Sequence, residues 1–240
     1  MKNQTAILEK LGIEALNEMQ EEAKFAIHSN PEVVLLSPTG TGKTLAFLLP
    51  VIAELDPDLE EIQALVLVPS RELAIQIYQV AREMGSGYKI DSAYGGRSFS
   101  KDKTALQHRP ALLVGTPGRV ADHLRRGTFS ADHIKTLVLD EFDKSLEIGF
   151  TDEMSEIIGT LTGVNKKILT SATQGVEIPE FVGLTDPTYV DHLAGGVTKL
   201  EVRTIISPEK DKMQTLVEAL SMFGEQPGIV FLNFKDSIQR

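Results

Sequence analysis

The stretch VVLLSPTGTGKTLAFLLPVIAEL, residues 33–55, decides the fold. It opens with a β-branched apolar run, Val33 to Leu36, and continues from Thr44 as an apolar pattern at helical spacing. Between them lies SPTGTGKT, Ser37 to Thr44. The general phosphate-loop pattern G-x-x-x-x-G-K-[ST] asks for glycine where Ser37 stands; the rest of it is present, between a strand and a helix as the pattern requires. Gly40 and Gly42 permit positive φ and close backbone approach. Successive amides then form an anion nest at a helix N-terminus, with Thr39 and Thr41 completing the loop. Lys43 can reach the β- and γ-phosphates of a nucleotide, and the Thr44 hydroxyl can bind Mg²⁺. A glycine-rich turn with a surface lysine is the alternative, and the flanking strand and helix speak against it.

Working outward, four more runs read as strands buried on both faces: Ala64 to Val68, Ala111 to Gly115, Thr136 to Asp140 and Lys167 to Ser171. Helical patterns separate them; in RELAIQIYQVAREM, Leu73, Ile77, Val80 and Met84 recur at helical spacing. This alternation predicts an α/β fold, a mostly parallel sheet with helices on both faces. The chain has 240 residues, 42% of them apolar, enough for a large core. It has no cysteine, which excludes disulfides and thiolate metal sites and fits a reducing cytoplasm. MKNQTAILEKLGIEAL has no apolar signal region, and the longest apolar run is too short to span a bilayer. A net charge of −10 excludes broad electrostatic attraction to nucleic acid, so any such site must be local.

A phosphate loop needs a metal partner, and LVLDEFDK supplies one. Its apolar strand ends in Asp140 and Glu141, at the strand end where α/β sheets bind ligands. Asp140 can hold Mg²⁺, partly through water, and Glu141 can orient the attacking water as a general base. PSRE and TPGR each follow a buried strand and place Pro or Gly near a helix start, where free amides can receive phosphate. Arg71 and Arg119 can add charge-assisted bonds, or serve as ordinary salt-bridged arginines. Ser171 and Thr173 can hydrogen-bond Asp143 or cap a helix. The five histidines show no metal-ligand spacing.

Taken together, these residues resemble the N-terminal RecA-like domain of a DEAD-box RNA helicase, a superfamily 2 ATPase. That family writes its loop A-x-T-G-x-G-K-T, so the absent glycine is typical and only Ser37 departs. Gly12 to Gln20 resembles its adenine-reading Q motif; Pro69 to Gln76, the pair Gly95 and Gly96, and Thr116 to Arg119 resemble its RNA-backbone motifs. DEFD stands for DEAD, SAT (Ser171 to Thr173) matches the coupling motif, and Gly228 to Ser237 resembles the first motif of a second RecA-like domain. The resemblance covers nearly the whole chain. It implies ATP and Mg²⁺ as cofactors, with Gln20 pairing with adenine. It implies RNA held through its backbone by Pro69, Arg71, Gly95, Gly96, Thr116, Pro117, Gly118 and Arg119. Asp143, Ser171 and Thr173 would couple hydrolysis to RNA. Phe142, Leu16 and Asn17 depart from the family's usual Ala, Pro, and Thr or Ser.

The chain is therefore expected to comprise an ATP-binding domain over 1–192, a linker over 193–199 around HLAGGVTK, and the opening of a second RecA-like domain over 200–240. In that last segment the pattern predicts a strand in LEVRTIIS, a helix in EKDKMQTLVEALSMFG and a strand in GIVFLNF. The expected protein is a cytoplasmic monomer, without a membrane segment, that needs the rest of the second domain to unwind RNA. A scaffold that binds nucleotide or RNA without turnover, and a DNA-directed ATPase of the same superfamily, are the alternatives. Intact Lys43, Thr44, Asp140 and Glu141 favour turnover, and PSRELAIQ with TPGR favours RNA.

Overall fold

The structure is a computed structural model that describes residues 4–173, 175, 177–193, 203–208, 210–224 and 228–232. It divides into two units, Met1–Val197 and Thr198–Arg240. The first begins with α1 (Gln4–Leu11) and α2 (Glu18–Ser29), then alternates β1 (Glu32–Leu36), α3 (Lys43–Ala53), β2 (Ala64–Leu67), α4 (Arg71–Glu83) and β3 (Ile90–Ala93). It continues through α5 (Phe99–Ala105), β4 (Leu112–Gly115), α6 (Pro117–Arg125), β5 (Thr136–Leu139), α7 (Phe142–Ile148), α8 (Thr151–Thr160), β6 (Lys166–Ser171), a short 3₁₀ turn at Glu180–Val182 and β7 (Thr188–Asp191).

All seven strands pair in parallel, in the order β3-β4-β2-β5-β6-β1-β7. Alternate residues of each strand feed two separate cores. Val33, Leu35, Ala64 and Val66 face the core under α1 to α4. Val34, Leu65, Leu67, Leu113 and Leu169 face the core under α6, α7 and α8. A strand covered on both faces must be apolar throughout, which explains the uninterrupted runs. α3 is buried almost all round, from Leu45 to Ile52, and packs against α2. A helix apolar on every side belongs inside, and this one fixes the phosphate loop at its N-terminus.

β1 and β2 are consecutive in sequence but separated in the sheet by β6 and β5. The chain therefore crosses the sheet after the first loop and leaves that loop beside the end of β6, with the end of β5 one strand further on. Such a reversal point at the carboxyl edge is where open α/β sheets take ligands. β3 and β7 lie at the two edges.

In the second unit the described residues contain one helix, α9 (Met213–Phe223). The two strands expected there do not form among the described residues: 203–207 and 228–232 are irregular. Ile206 and Phe231 are highly exposed. A strand is stable only when its backbone groups pair, and among the described residues of this unit no strand is present to pair with either segment. Residues 194–199 of the expected linker, 200–202 of the first expected strand and 233–234 of the second lie outside the described residues.

Candidate functional site

The phosphate loop is shaped by two glycines, Gly40 at φ 84° and Gly42 at φ 88°. Gly42 caps α3, and among the described contacts none of the backbone N–H groups from Gly40 to Thr44 donates to the chain. Five consecutive amides are thus free at a helix N-terminus, the arrangement that binds phosphate. Lys43 lies buried across the loop, its Nζ donating to Ser37 O at 2.6 Å and Pro38 O at 3.1 Å. Burial lowers its pKa, while Asp140, Glu141 and Asp143 pull the other way. Ser37 Oγ lies 2.8 Å from Thr41 Oγ1, which donates to Pro38 O at 2.8 Å.

The start of α2 is knotted to this loop. Asn17 and Gln20 form a reciprocal capping box: Asn17 Oδ1 accepts from Gln20 N at 2.9 Å, and Gln20 Oε1 accepts from Asn17 N at 3.0 Å. Both side chains also reach the loop, Asn17 Nδ2 donating to Thr41 O at 3.1 Å and Gln20 Nε2 to Gly42 O at 3.2 Å. A Cβ on Gly42 would lie 2.4 Å from Gln20 Nε2, so the approach itself demands glycine. Leu16 packs partly buried against the first core.

β1, β6 and β5 are neighbours, so three loops end side by side, and backbone bonds extend the sheet into them. Ser37 N donates to Ser171 O at 3.1 Å and Asp140 N to Leu67 O at 2.9 Å. Asp140 is buried, and its pKa is pushed up to about 6, chiefly by desolvation. Thr170 Oγ1 donates to Asp140 Oδ1 at 2.5 Å and accepts from Glu141 N at 3.1 Å. Glu141 sits in the left-handed region at φ 48°, the one non-glycine residue there among those described. That conformation costs of the order of 1–2 kcal/mol, and strain of this kind concentrates at functional sites. Phe142 is buried in the second core. Thr173 Oγ1 donates to Asp143 Oδ2 at 2.7 Å, whereas Ser171 Oγ turns to Thr173 and not to Asp143. Asp143 Oδ1 is buried without a hydrogen bond.

The other half of the carboxyl edge, β2, β4 and β3, carries the remaining expected site residues. Pro69 and Arg71 follow β2, Thr116 to Arg119 follow β4, and Gly95 and Gly96 follow β3. Thr116 N donates to Ala93 O at 3.1 Å, joining two of the loops. Arg71 is 63% exposed, and a Cβ on Gly96 would lie 3.6 Å from its Nη1. Arg119 is different: its side chain is 12% exposed and its Nε lies 3.2 Å from Asp102. It also donates to the carbonyls of Tyr94 and Arg97. The expected phosphate contact is thus turned inward.

Thr170, Asn17 and Ser37 make contacts within the candidate site and are not among the site residues expected from the sequence. Thr170 had one signal, a hydroxyl inside an apolar strand next to SAT; the other two gave none beyond their departure from the family pattern. Among the described residues no cluster of three or more acidic or histidine side chains could hold a metal alone. Asp140 and the Thr44 hydroxyl fit a cation that takes its other ligands from phosphate and water. No helix among the described residues is long and apolar enough to cross a membrane.

The family model described as DEAD/DEAH box helicase matches residues 17–181. The DEAD-box ATP-dependent RNA helicase CshA of Bacillus subtilis is 32% identical over 230 residues, 93% of this chain and 47% of its own. The ATP-dependent RNA helicase DbpA of Escherichia coli is 34% identical over 238 residues, 97% of this chain and 52% of its own. The crystal structure of a DEAD box protein from Methanococcus jannaschii superposes with a TM-score of 0.71 at 28% identity, covering 79% of this chain and 53% of that one. The chain thus spans about half the length of the curated relatives it matches. A phosphate loop, a DEFD strand end and a SAT strand end meet on a RecA-like sheet, the family model covers most of it, and the chain belongs to the DEAD/DEAH box helicase family.

Proposed function

We propose that this chain is the ATP-binding half of an ATP-dependent RNA helicase. The observation that carries this reading is the row of five free amides from Gly40 to Thr44, beside Lys43 and facing the Asp140–Glu141 strand end. Lys43 exchanges its two carbonyl partners for phosphate oxygens. Each polar atom of the Gln20 amide has one bond in the structure and one unused valence, a hydrogen on Nε2 and a lone pair on Oε1. That pair matches the N7 acceptor and N6 donor of adenine, while guanine offers two acceptors there. Mg²⁺, held by Thr44 and Asp140, would neutralise charge on the phosphoryl oxygens. Glu141 orients water and takes its proton.

RNA is read through its backbone at the β2, β4 and β3 ends, with little sequence preference. The domain plan is 1–192 for ATP binding, 193–199 as linker and 200–240 as the opening of a second RecA-like domain. The protein acts as a cytoplasmic monomer, and fast turnover requires a cationic clamp from a second half, typically worth ~10³–10⁵ in rate. Fluorescent ADP and GDP titrations, with ATP turnover of wild type and Glu141→Gln joined to a second RecA-like half, test the reading. ADP preference and a Glu141→Gln protein that binds but does not hydrolyse are expected. Equal affinity for ADP and GDP, or unchanged turnover, would overturn it.

A further inference from the structure

Asp102 has no part in the nucleotide chemistry, yet it is the most completely enclosed carboxylate next to the RNA-facing loops. Its side chain is 1% exposed. Neither oxygen accepts a hydrogen bond of good geometry. Its charge is met instead by two arginines from different elements: Arg97 Nε, in the loop after β3, lies 3.4 Å from Oδ1, and Arg119 Nε, on α6, lies 3.2 Å from Oδ2. His123 Nε2 is 3.6 Å away, and burial lowers the histidine's pKa, so the arginines carry the balancing charge. A carboxylate this far from water is tolerated only when it is paired, so the cluster holds its arginines firmly.

The two arginines have different exposures. Arg119 is enclosed and donates to the carbonyls of Tyr94 and Arg97, so it braces the backbone of the loop that carries Gly95 and Gly96. Arg97 is 34% exposed. Its guanidinium lies over the Tyr94 ring at 5.3 Å and donates through Nη1 to Ser92 O at 3.3 Å. Among the described residues its Nη2 has no partner. The side chain is thus held in one place beside an exposed glycine pair that has no Cβ to obstruct a strand, with Arg71 near the same Gly96. An arginine whose rotamers are already fixed loses less freedom when it binds phosphate.

We propose that Arg97 is an RNA-phosphate ligand, that Asp102 is the residue that positions it, and that Arg119 is a brace and not a ligand; this rests on the RNA-binding reading above. The sign of the effect separates positioning from bulk charge. Asp102→Asn makes an acidic protein less acidic, and by charge alone it would tighten RNA binding. Through lost positioning it weakens binding roughly threefold to tenfold. The experiment measures binding of a short fluorescein-labelled oligouridine by anisotropy across a salt series, for wild type, Asp102→Asn, Arg97→Met and the double variant, with melting curves as a check on folding. Expected are weaker binding for Asp102→Asn at an unchanged salt slope, and for Arg97→Met weaker binding with a slope smaller by about 0.7. Asp102→Asn should then have little further effect on top of Arg97→Met. If Asp102→Asn does not fold, Arg97→Met alone decides, because it alters a side chain that is partly exposed. Equal or tighter RNA binding by Asp102→Asn, an unaltered slope for Arg97→Met, or additive effects would overturn the proposal alone. A wild-type chain that retains no RNA would overturn the RNA-binding reading with it.

Discussion

Replacing Asp140 by Asn should stabilise the metal-free protein while removing its function. The carboxyl is buried, and its pKa rises from the ordinary 3.8 to about 6 because ionisation there means losing water. The folded-state value lies above the unfolded one. Between the two, the folded chain holds more protons than the unfolded chain, and stability falls as pH rises through that window. Above about 6 the cost is complete: 2.2 units at 1.36 kcal/mol each is about 3 kcal/mol. Near pH 4 most of it is gone. Asparagine keeps the oxygen that accepts from Thr170 but removes the charge, and an amide N–H left without a partner gives back part of the gain. The expected gain is between about 1 and 3 kcal/mol near pH 7.5, at roughly 2–4 °C of melting temperature per kcal/mol for a domain of this size. Circular-dichroism melts of both proteins in chelator, near pH 7.5 and near pH 4, measure it. The gap should shrink at the lower pH, and Mg²⁺ with ATP should raise the melting temperature of wild type only. An Asp140→Asn protein that melts no higher than wild type near pH 7.5, or a gap that does not change with pH, would refute the reasoning.

Thr170→Val removes both the donor to Asp140 and the acceptor for Glu141 N. It should raise the Asp140 pKa further and shift the pH profile of Mg²⁺-dependent ADP binding upward; a profile identical to wild type would contradict the assigned contact. Gly42→Ala places a methyl 2.4 Å from Gln20 Nε2 at a φ of 88°. Titration with fluorescent ADP should show at least a tenfold loss of affinity, and a loss under twofold would mean that the loop can relax. Thr173→Val should leave Asp143 without its hydroxyl partner and reduce RNA stimulation of turnover more than ADP binding; proportional loss of both would argue against coupling.

The central strands were legible because burial on both faces leaves only apolar residues, and all five expected runs appear within one residue of their observed ends. The edge strands were not. IDSA in β3 carries Asp91 and Ser92, and TYVD in β7 buries only Val190 fully, so neither stands out by composition. In the second unit, apolar runs suggest strands, although among the described residues they have nothing to pair with. The positions of the glycine-rich loop after β1 and of Asp140 at the end of β5 were legible because a strand–loop–helix junction restricts residue types at fixed spacing. Thr170, Asn17 and Ser37 act through single hydroxyl or amide groups that any strand, cap or loop could carry. Nothing in TPGR says whether the Arg119 guanidinium turns outward or inward; that depends on Asp102, which in SKDKT looks like an ordinary surface charge.

The capping box of α2 has an effect on local opening. The glutamine that closes the first turn of this helix is the same one that holds the Gly42 carbonyl, and the asparagine that caps it holds the Thr41 carbonyl. Fraying of the helix end and distortion of the loop are therefore one event and not two. Ligand that braces the loop should slow opening of the helix, which would make amide hydrogen exchange at Gln20 and Glu21 a gauge of occupancy for a site whose own amides belong to a different segment of the chain.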